Sequence, residues 1–140
     1  MQTLDGKTAL VTGAAGVLGA VTARALAARG LRVLLVDVDA AGLDTVAGGI
    51  GEGAVPMVLD VGDASAIDAA DIGEIDVLVN NAGVLSNNKA AETTPEEWRR
   101  IMGINLDGAF YLARRVLPGM KARGWGRVVN NCWWRRRPAA

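Results

Sequence analysis

Residues 12–19 read Thr-Gly-Ala-Ala-Gly-Val-Leu-Gly, and they join an apolar run, Lys7 to Thr12, to a stretch from Val17 to Arg29 in which alanine and leucine recur at helical spacing. That is strand, tight turn, helix. Gly13, Gly16 and Gly19 fall where missing side chains permit a sharp bend, close approach of a pyrophosphate and tight helix packing, and the amino end of the helix favours phosphate charge. Packing and composition alone also produce such turns, so the triplet has to be weighed with its surroundings.

Just outward lies Leu31 to Val38 (LRVLLVDV), nearly all apolar as a strand covered on both faces must be. It completes a βαβ unit in the first 38 residues. Asp37 stands at its carboxyl end, 24 positions after Gly13. A carboxylate there accepts hydrogen bonds from the adenosine ribose hydroxyls and repels the extra phosphate of NADP, so the expected cofactor is NAD. The competing reading of Asp37 is a solvated strand end or a helix cap.

Further out, apolar runs recur at Ala54 to Leu59, Ile75 to Asn80 and Arg127 to Asn130, separated by helical or loop stretches. Thr94-Pro95-Glu96-Glu97 has the form of a capping box with proline at the first helical position, and it opens a helical segment reaching to about Ala122, before Gly124 and Gly126. Strands alternating with helices imply an α/β fold, a Rossmann-like doubly wound parallel sheet of five strands in the order 3-2-1-4-5. Residues 1–131 are expected to form this one domain, with its ligand at the carboxyl ends of the strands.

Composition narrows the function classes. The 140 residues are 51% hydrophobic, enough for one core. Fifteen basic and fifteen acidic residues cancel, so no global field steers the chain toward nucleic acid or an anionic membrane. With one cysteine, Cys132, and no histidine, neither a disulfide framework nor the usual zinc and histidine-triad constellations can be built, and no metal is expected. The charged amino end and the lack of any apolar run of ~18 residues argue against a signal peptide or a membrane span, so the expected location is the cytoplasm.

Taken in order, TGAAGVLG, Asp37, Asp60-Val61, Asn80-Asn81-Ala82-Gly83 and Asn105 resemble the short-chain dehydrogenase/reductase family, over residues 4 to about 132. The resemblance implies hydride transfer between NAD and a small alcohol or ketone, in a full-length protein that is a homo-oligomer. By it, Gly13, Gly16, Leu18 and Gly19 hold the pyrophosphate, Asp60 and Val61 contact the adenine, and Asn81, Ala82 and Gly83 line the cofactor. Asn105 would distort its helix and hold a water of the proton relay. Each has a plainer reading: an Asn-Asn-Ala-Gly turn can simply end a strand, and Asn105 can be an ordinary mid-helix residue.

Three departures stand out. Val17 occupies the place of the family's usual second glycine, where a side chain would narrow the pyrophosphate site. The stretch from Asp60 to Asn80 is shorter than the family pattern, which leaves room only for a small helix and less stability there. The family's serine should fall near Trp133, yet no serine follows Ser86, and the one tyrosine, Tyr111, precedes Arg115 by four positions where a lysine is required. Tyr111 therefore reads as a packing residue.

Residues 132–140 (CWWRRRPAA) continue neither a helix nor a binding box. The expectation is an aberrant tail from a shifted reading frame, with the carboxyl-terminal part of the fold missing and the fifth strand left as an uncovered edge. A Trp/Arg tail built to stack on single-stranded nucleic acid competes with this, without a supporting basic patch. The functional expectation is an oxidoreductase whose present chain does not turn over. The alternatives are a non-catalytic NAD-binding or protein-interaction module, and a fragment that cannot fold stably.

Overall fold

In the computed structural model, which describes residues 4–132, strands and helices alternate along the chain. They are β1 (Thr8–Thr12), α1 (Val17–Ala27), β2 (Arg32–Asp37), α2 (Ala40–Ile50), β3 (Ala54–Val58), α3 (Ala64–Ala69), β4 (Val77–Asn80), α4 (Pro95–Met102), α5 (Gly108–Ala122) and β5 (Arg127–Asn130). A single 3-10 turn, Ala90–Glu92, precedes α4.

All strand pairs are parallel, in the order β3-β2-β1-β4-β5, as the sequence predicts. Side chains of a strand alternate between the two faces, and here both faces are covered. Ala9, Val11, Val33, Leu35, Val77 and Val79 face α1 and α2 in one core, with Ala20, Ala23, Leu43 and Val46. Leu10, Leu34, Val36 and Leu78 belong to the other, with Ile67, Leu112, Val116 and Met120 of α3 and α5. This double coverage explains why β1, β2 and β4 are nearly continuous apolar runs. Tyr111 packs against the second core, as expected of it.

The expected long helix is divided. A π-helical turn, Gly103–Asp107, separates α4 from α5. Such a turn admits one extra residue into the helix and is costly unless the surroundings hold it. Here Asn105 is tied to Val84 on the neighbouring loop, and Gly108 presses against the backbone of Val61. The capping box is also half made. Thr94 Oγ1 accepts from the Glu97 amide at 3.1 Å, but the Glu97 carboxylate is engaged by Ser86 and Asn88 rather than by the Thr94 amide.

As anticipated from the short Asp60–Asn80 stretch, α3 has six residues. All four residues of β5 are exposed, and β4 is the strand that pairs with it. The expectation of an aberrant tail concerns residues 132–140; Cys132 is exposed, and the other eight lie outside the described residues.

Gly108 sets how closely α5 approaches the sheet. A Cβ there would lie 2.6 Å from the Val61 carbonyl oxygen, a backbone atom. Gly108→Ala is therefore expected to lower the unfolding free energy in urea by about 1–3 kcal/mol, as overpacking does. An unchanged midpoint would show that α5 can slide.

Candidate functional site

In this strand order the connection from β1 runs toward β2 and the connection from β4 begins on the other side, so a crevice opens between the turns after β1 and β4. Thr12 closes its floor. The residue is 1% exposed, and its hydroxyl accepts from the amides of Asn81 at 2.9 Å and Ala82 at 2.8 Å and donates to the Val79 carbonyl at 3.4 Å. The Asn81 carboxamide, also buried, donates to the Thr12 carbonyl at 3.0 Å and accepts from Asn131 Nδ2 at 3.0 Å.

The turn of residues 13–16 stands on that floor. Gly13 has φ +64°, and a Cβ on it would come within 3.0 Å of Ala82 Cα; one on Gly19 would collide with the Gly13 carbonyl. Glycine at both positions lets α1 start close against the turn. Helices α2, α3 and α4 are capped by Asp39, Asp63 and Thr94, whereas the N-cap position of α1 is Gly16, which offers no side-chain cap. No side chain among the described residues caps the amino-terminal amides of α1, the arrangement that suits an anion. Val17 and Leu18, the first two residues of α1, are both exposed, Val17 at 87%.

Asp37 ends β2 beside this turn. Its Oδ2 accepts from the Ala15 amide at 3.0 Å, and its Oδ1 from the amides of Val38 at 2.8 Å and Asp39 at 3.1 Å. A cleft of about 150 Å³ runs from here across the strand ends. Gly13, Asp37, Asp60, Val61, Ala82 and Gly83 all line it, with apolar walls that include Val36 and Ile104. Asp60 is fixed by accepting from the Gly62 amide at 2.8 Å. The fold thus gathers six of the sequence-predicted residues in one cleft. Gly16, Leu18 and Gly19 stand at the start of α1, and Asn81 lies underneath.

Asn105 faces a neighbouring cleft of about 210 Å³ under the strand ends of β4 and β5, with Thr12, Asn80, Asn130 and Cys132. It lies inside the π turn. Its Oδ1 accepts from the Val84 amide and its Nδ2 donates to the Val84 carbonyl, both at 2.8 Å, so both ends of the side chain hold one backbone unit. At the base of this cleft Asn80 donates to Asn130 Oδ1 at 2.8 Å, while its own Oδ1 is buried with no hydrogen-bond partner among the described residues.

The loop beyond Val84 is fastened to α4. Ser86 Oγ donates to Glu97 Oε1 at 2.7 Å and Asn88 Nδ2 to Oε2 at 2.8 Å. These bonds, the one from Ser86 foremost, hold the Glu97 carboxyl below its ordinary value of 4.5.

A roomier depression, about 630 Å³, sits at the opposite ends of the strands between Arg24, Arg32 and Glu52. It touches none of the predicted residues. Sequence reading missed Thr12 as the hub of the floor, Val84 as the partner of Asn105, and Gly42, whose missing side chain leaves room for Ala15 of the glycine turn. Thr12 carried a signal, a hydroxyl ending an otherwise apolar strand. The other two depend on contacts that no local pattern contains. Among the described residues no helix is long and apolar enough to cross a membrane.

The sequence model described as short chain dehydrogenase matches residues 7–132. Galactitol 2-dehydrogenase (L-tagatose-forming) of Cereibacter sphaeroides is 41% identical over 133 residues, covering 91% of this chain and 52% of the relative. The crystal structure of 3-ketoacyl-(acyl-carrier-protein) reductase from Brucella melitensis complexed with NADH superposes with a TM-score of 0.81 at 38% identity, covering 86% of this chain and 53% of that one. A metagenomic short-chain oxidoreductase in complex with NADP gives 0.84 at 35%, covering 91% and 61%. The chain spans about half the length of the curated relatives it matches.

Two measurements probe this geometry. Thr12→Val, nearly the same shape, is expected to cost about 1–3 kcal/mol for the buried bond from the Asn81 amide, and less for the part-buried one from Ala82, read from urea unfolding. A loss below that range would mean that water replaces the hydroxyl. Because the Glu97 carboxyl titrates lower in the fold than when unfolded, its stabilising contribution is complete above 4.5 and is lost as pH falls through the lower folded value. An NMR titration of the Ser86 and Asn88 signals should therefore have its midpoint below 4.5, and a midpoint above it would refute the clasp.

Proposed function

Because the chain belongs to the short-chain dehydrogenase family, we propose that it is the cofactor-binding part of an oxidoreductase that moves hydride between NAD and a small alcohol or ketone. The observation that carries this reading is the convergence of Gly13, Asp37, Asp60, Val61, Ala82 and Gly83 on one cleft beside an uncapped helix.

Those residues fit a dinucleotide. The amino-terminal amides of α1 take the pyrophosphate, with Gly13, Gly16 and Gly19 keeping the backbone close and Leu18 in the first turn. The Asp37 carboxylate takes the adenosine ribose hydroxyls and disfavours a 2′-phosphate, which selects NAD over NADP. Asp60 and Val61 flank the adenine, while Asn81, Ala82 and Gly83 line the path toward the nicotinamide. When bound, NAD supplies the hydride acceptor. Asn105 supports the proton relay through the π turn that its side chain helps to hold.

The serine, tyrosine and lysine expected to hold the substrate oxygen and pass its proton have no counterparts in these 140 residues. We accordingly read residues 1–131 as a binding domain that does not turn over by itself, acting in the cytoplasm. A second reading, a non-catalytic module that joins a protein partner, draws on the exposed β5 and on Leu106, Phe110 and Leu117, exposed along the π turn and α5. Self-association into a homo-oligomer would use the same kind of surface.

Fluorescence titration of the chain with NADH and with NADPH tests the first reading. NADH is expected to bind at least ~10-fold more tightly, a difference of about 1.4 kcal/mol. Equal or tighter binding of NADPH would refute the role given to Asp37. Steady oxidation of an alcohol by the isolated chain would refute the claim that it does not turn over.

A further inference from the structure

Asp37 is bonded in a way that ribose recognition does not require. Were it only an acceptor for a ligand, its carboxylate could stand free at the strand end, yet it reaches across to the glycine turn and accepts from the Ala15 amide at 3.0 Å. The amides of Val38 and Asp39 hold the other oxygen, so the group is fixed before any ligand arrives. Two side chains from outside the turn bond its backbone: Asn81 at the Gly13 carbonyl, 3.4 Å, and Asp37 at Ala15.

The neighbouring contacts point the same way. The Ala14 amide donates to the Val36 carbonyl at 3.1 Å, so the end of β2 grips two successive residues of the turn. Ala15 is also backed by α2. A Cβ on Gly42 would lie 2.7 Å from Ala15 Cβ and 2.5 Å from Asp39 Oδ2, so only glycine lets the α2 start sit this close. Without its carboxylate partner, Ala15 would keep the Gly42 contact but lose the bond that sets the direction of its peptide, and the peptide groups leading into α1 follow from it.

We propose that Asp37 is a positioning residue for the glycine turn as well as the ribose acceptor, so that recognition at the adenosine ribose and at the pyrophosphate are coupled through the Ala15 amide. The inference rests on the cofactor reading above for its ligand, but not for the bond itself. The amides of Val38 and Asp39 occupy Oδ1 and the Ala15 amide one lone pair of Oδ2, so the second lone pair of Oδ2 is the one left to accept from a ribose hydroxyl. Removing the side chain then harms both ends of the nucleotide site.

Binding of ADP and of 2′,3′-dideoxy-ADP to the full chain and to Asp37→Ala separates the two roles, because the dideoxy probe has no hydroxyls for the carboxylate to recognise. Coupling predicts that Asp37→Ala weakens the dideoxy probe by about 10-fold, the scale of one lost hydrogen bond to a charged group. Dideoxy-ADP binding equally well to both proteins would overturn the proposal.

Hydrogen exchange at the Ala15 amide, read by NMR without ligand, supplies the second arm. It should accelerate in Asp37→Ala by ~10-fold or more relative to Leu35 in the buried β2. Equal acceleration at Leu35 would mean general loosening and would overturn the proposal too. If Asp37→Ala does not fold, Asp37→Val keeps a strand former in place and takes its part. If the wild-type chain binds neither nucleotide, the cofactor reading fails, and Ala15 exchange alone decides whether Asp37 holds the turn.

Discussion

The site depends on one hydroxyl. Where β1 and β4 part, their carboxyl ends would each leave backbone amides facing an emptying crevice, and buried amides without acceptors are costly. Thr12 meets that demand from inside β1 by accepting from Asn81 and Ala82 at once, while its own proton goes to Val79. The crevice can therefore open above a satisfied floor. The glycine turn, the approach of Gly13 to Ala82 and the start of α1 all rest on that floor.

Above it, the chain uses the same device several times: a polar side chain holds a neighbouring loop. Asp37 holds Ala15, Asn105 holds both polar groups of Val84, and Glu97 holds the Ser86–Asn88 loop through side chains. None of these partners is adjacent in sequence. The cleft is shaped by loops, yet each loop is anchored to a strand end or a helix, which preserves its form without extending the hydrophobic core.

The architecture was legible because double-sided burial writes itself into consecutive residues: the apolar run that holds β2, like those of β1 and β4, reads as a covered strand, and its alternation with helical stretches points to a parallel sheet. The ligand-facing residues were legible in kind, since Gly13 and Asp37 carry backbone and charge requirements that few other residue types meet. What stayed hidden is pairwise. Thr94-Pro95-Glu96-Glu97 looked like a complete capping box, but Ser86 and Asn88 compete for the same carboxylate and win it. Ile104 to Leu106 looked helical by spacing, and a distortion there was expected only through the resemblance at Asn105; the partners that accommodate the extra residue, Val84 for Asn105 and Val61 for Gly108, are not marked by any local pattern.

The two edges of the sheet are unlike, and the difference has a direction. Alternation along β3 turns the amides of Ala54, Pro56 and Val58 outward. Pro56 has no N–H, and that of Ala54 is spent on Gly51, which leaves Val58 alone to offer a donor. Along β5 the outward amides of Val128 and Asn130 have no acceptor among the described residues, and Arg127 and Asn130 flank two valines with no proline between them. A strand seeking this sheet, whether from the same polypeptide or from another, thus finds one receptive margin.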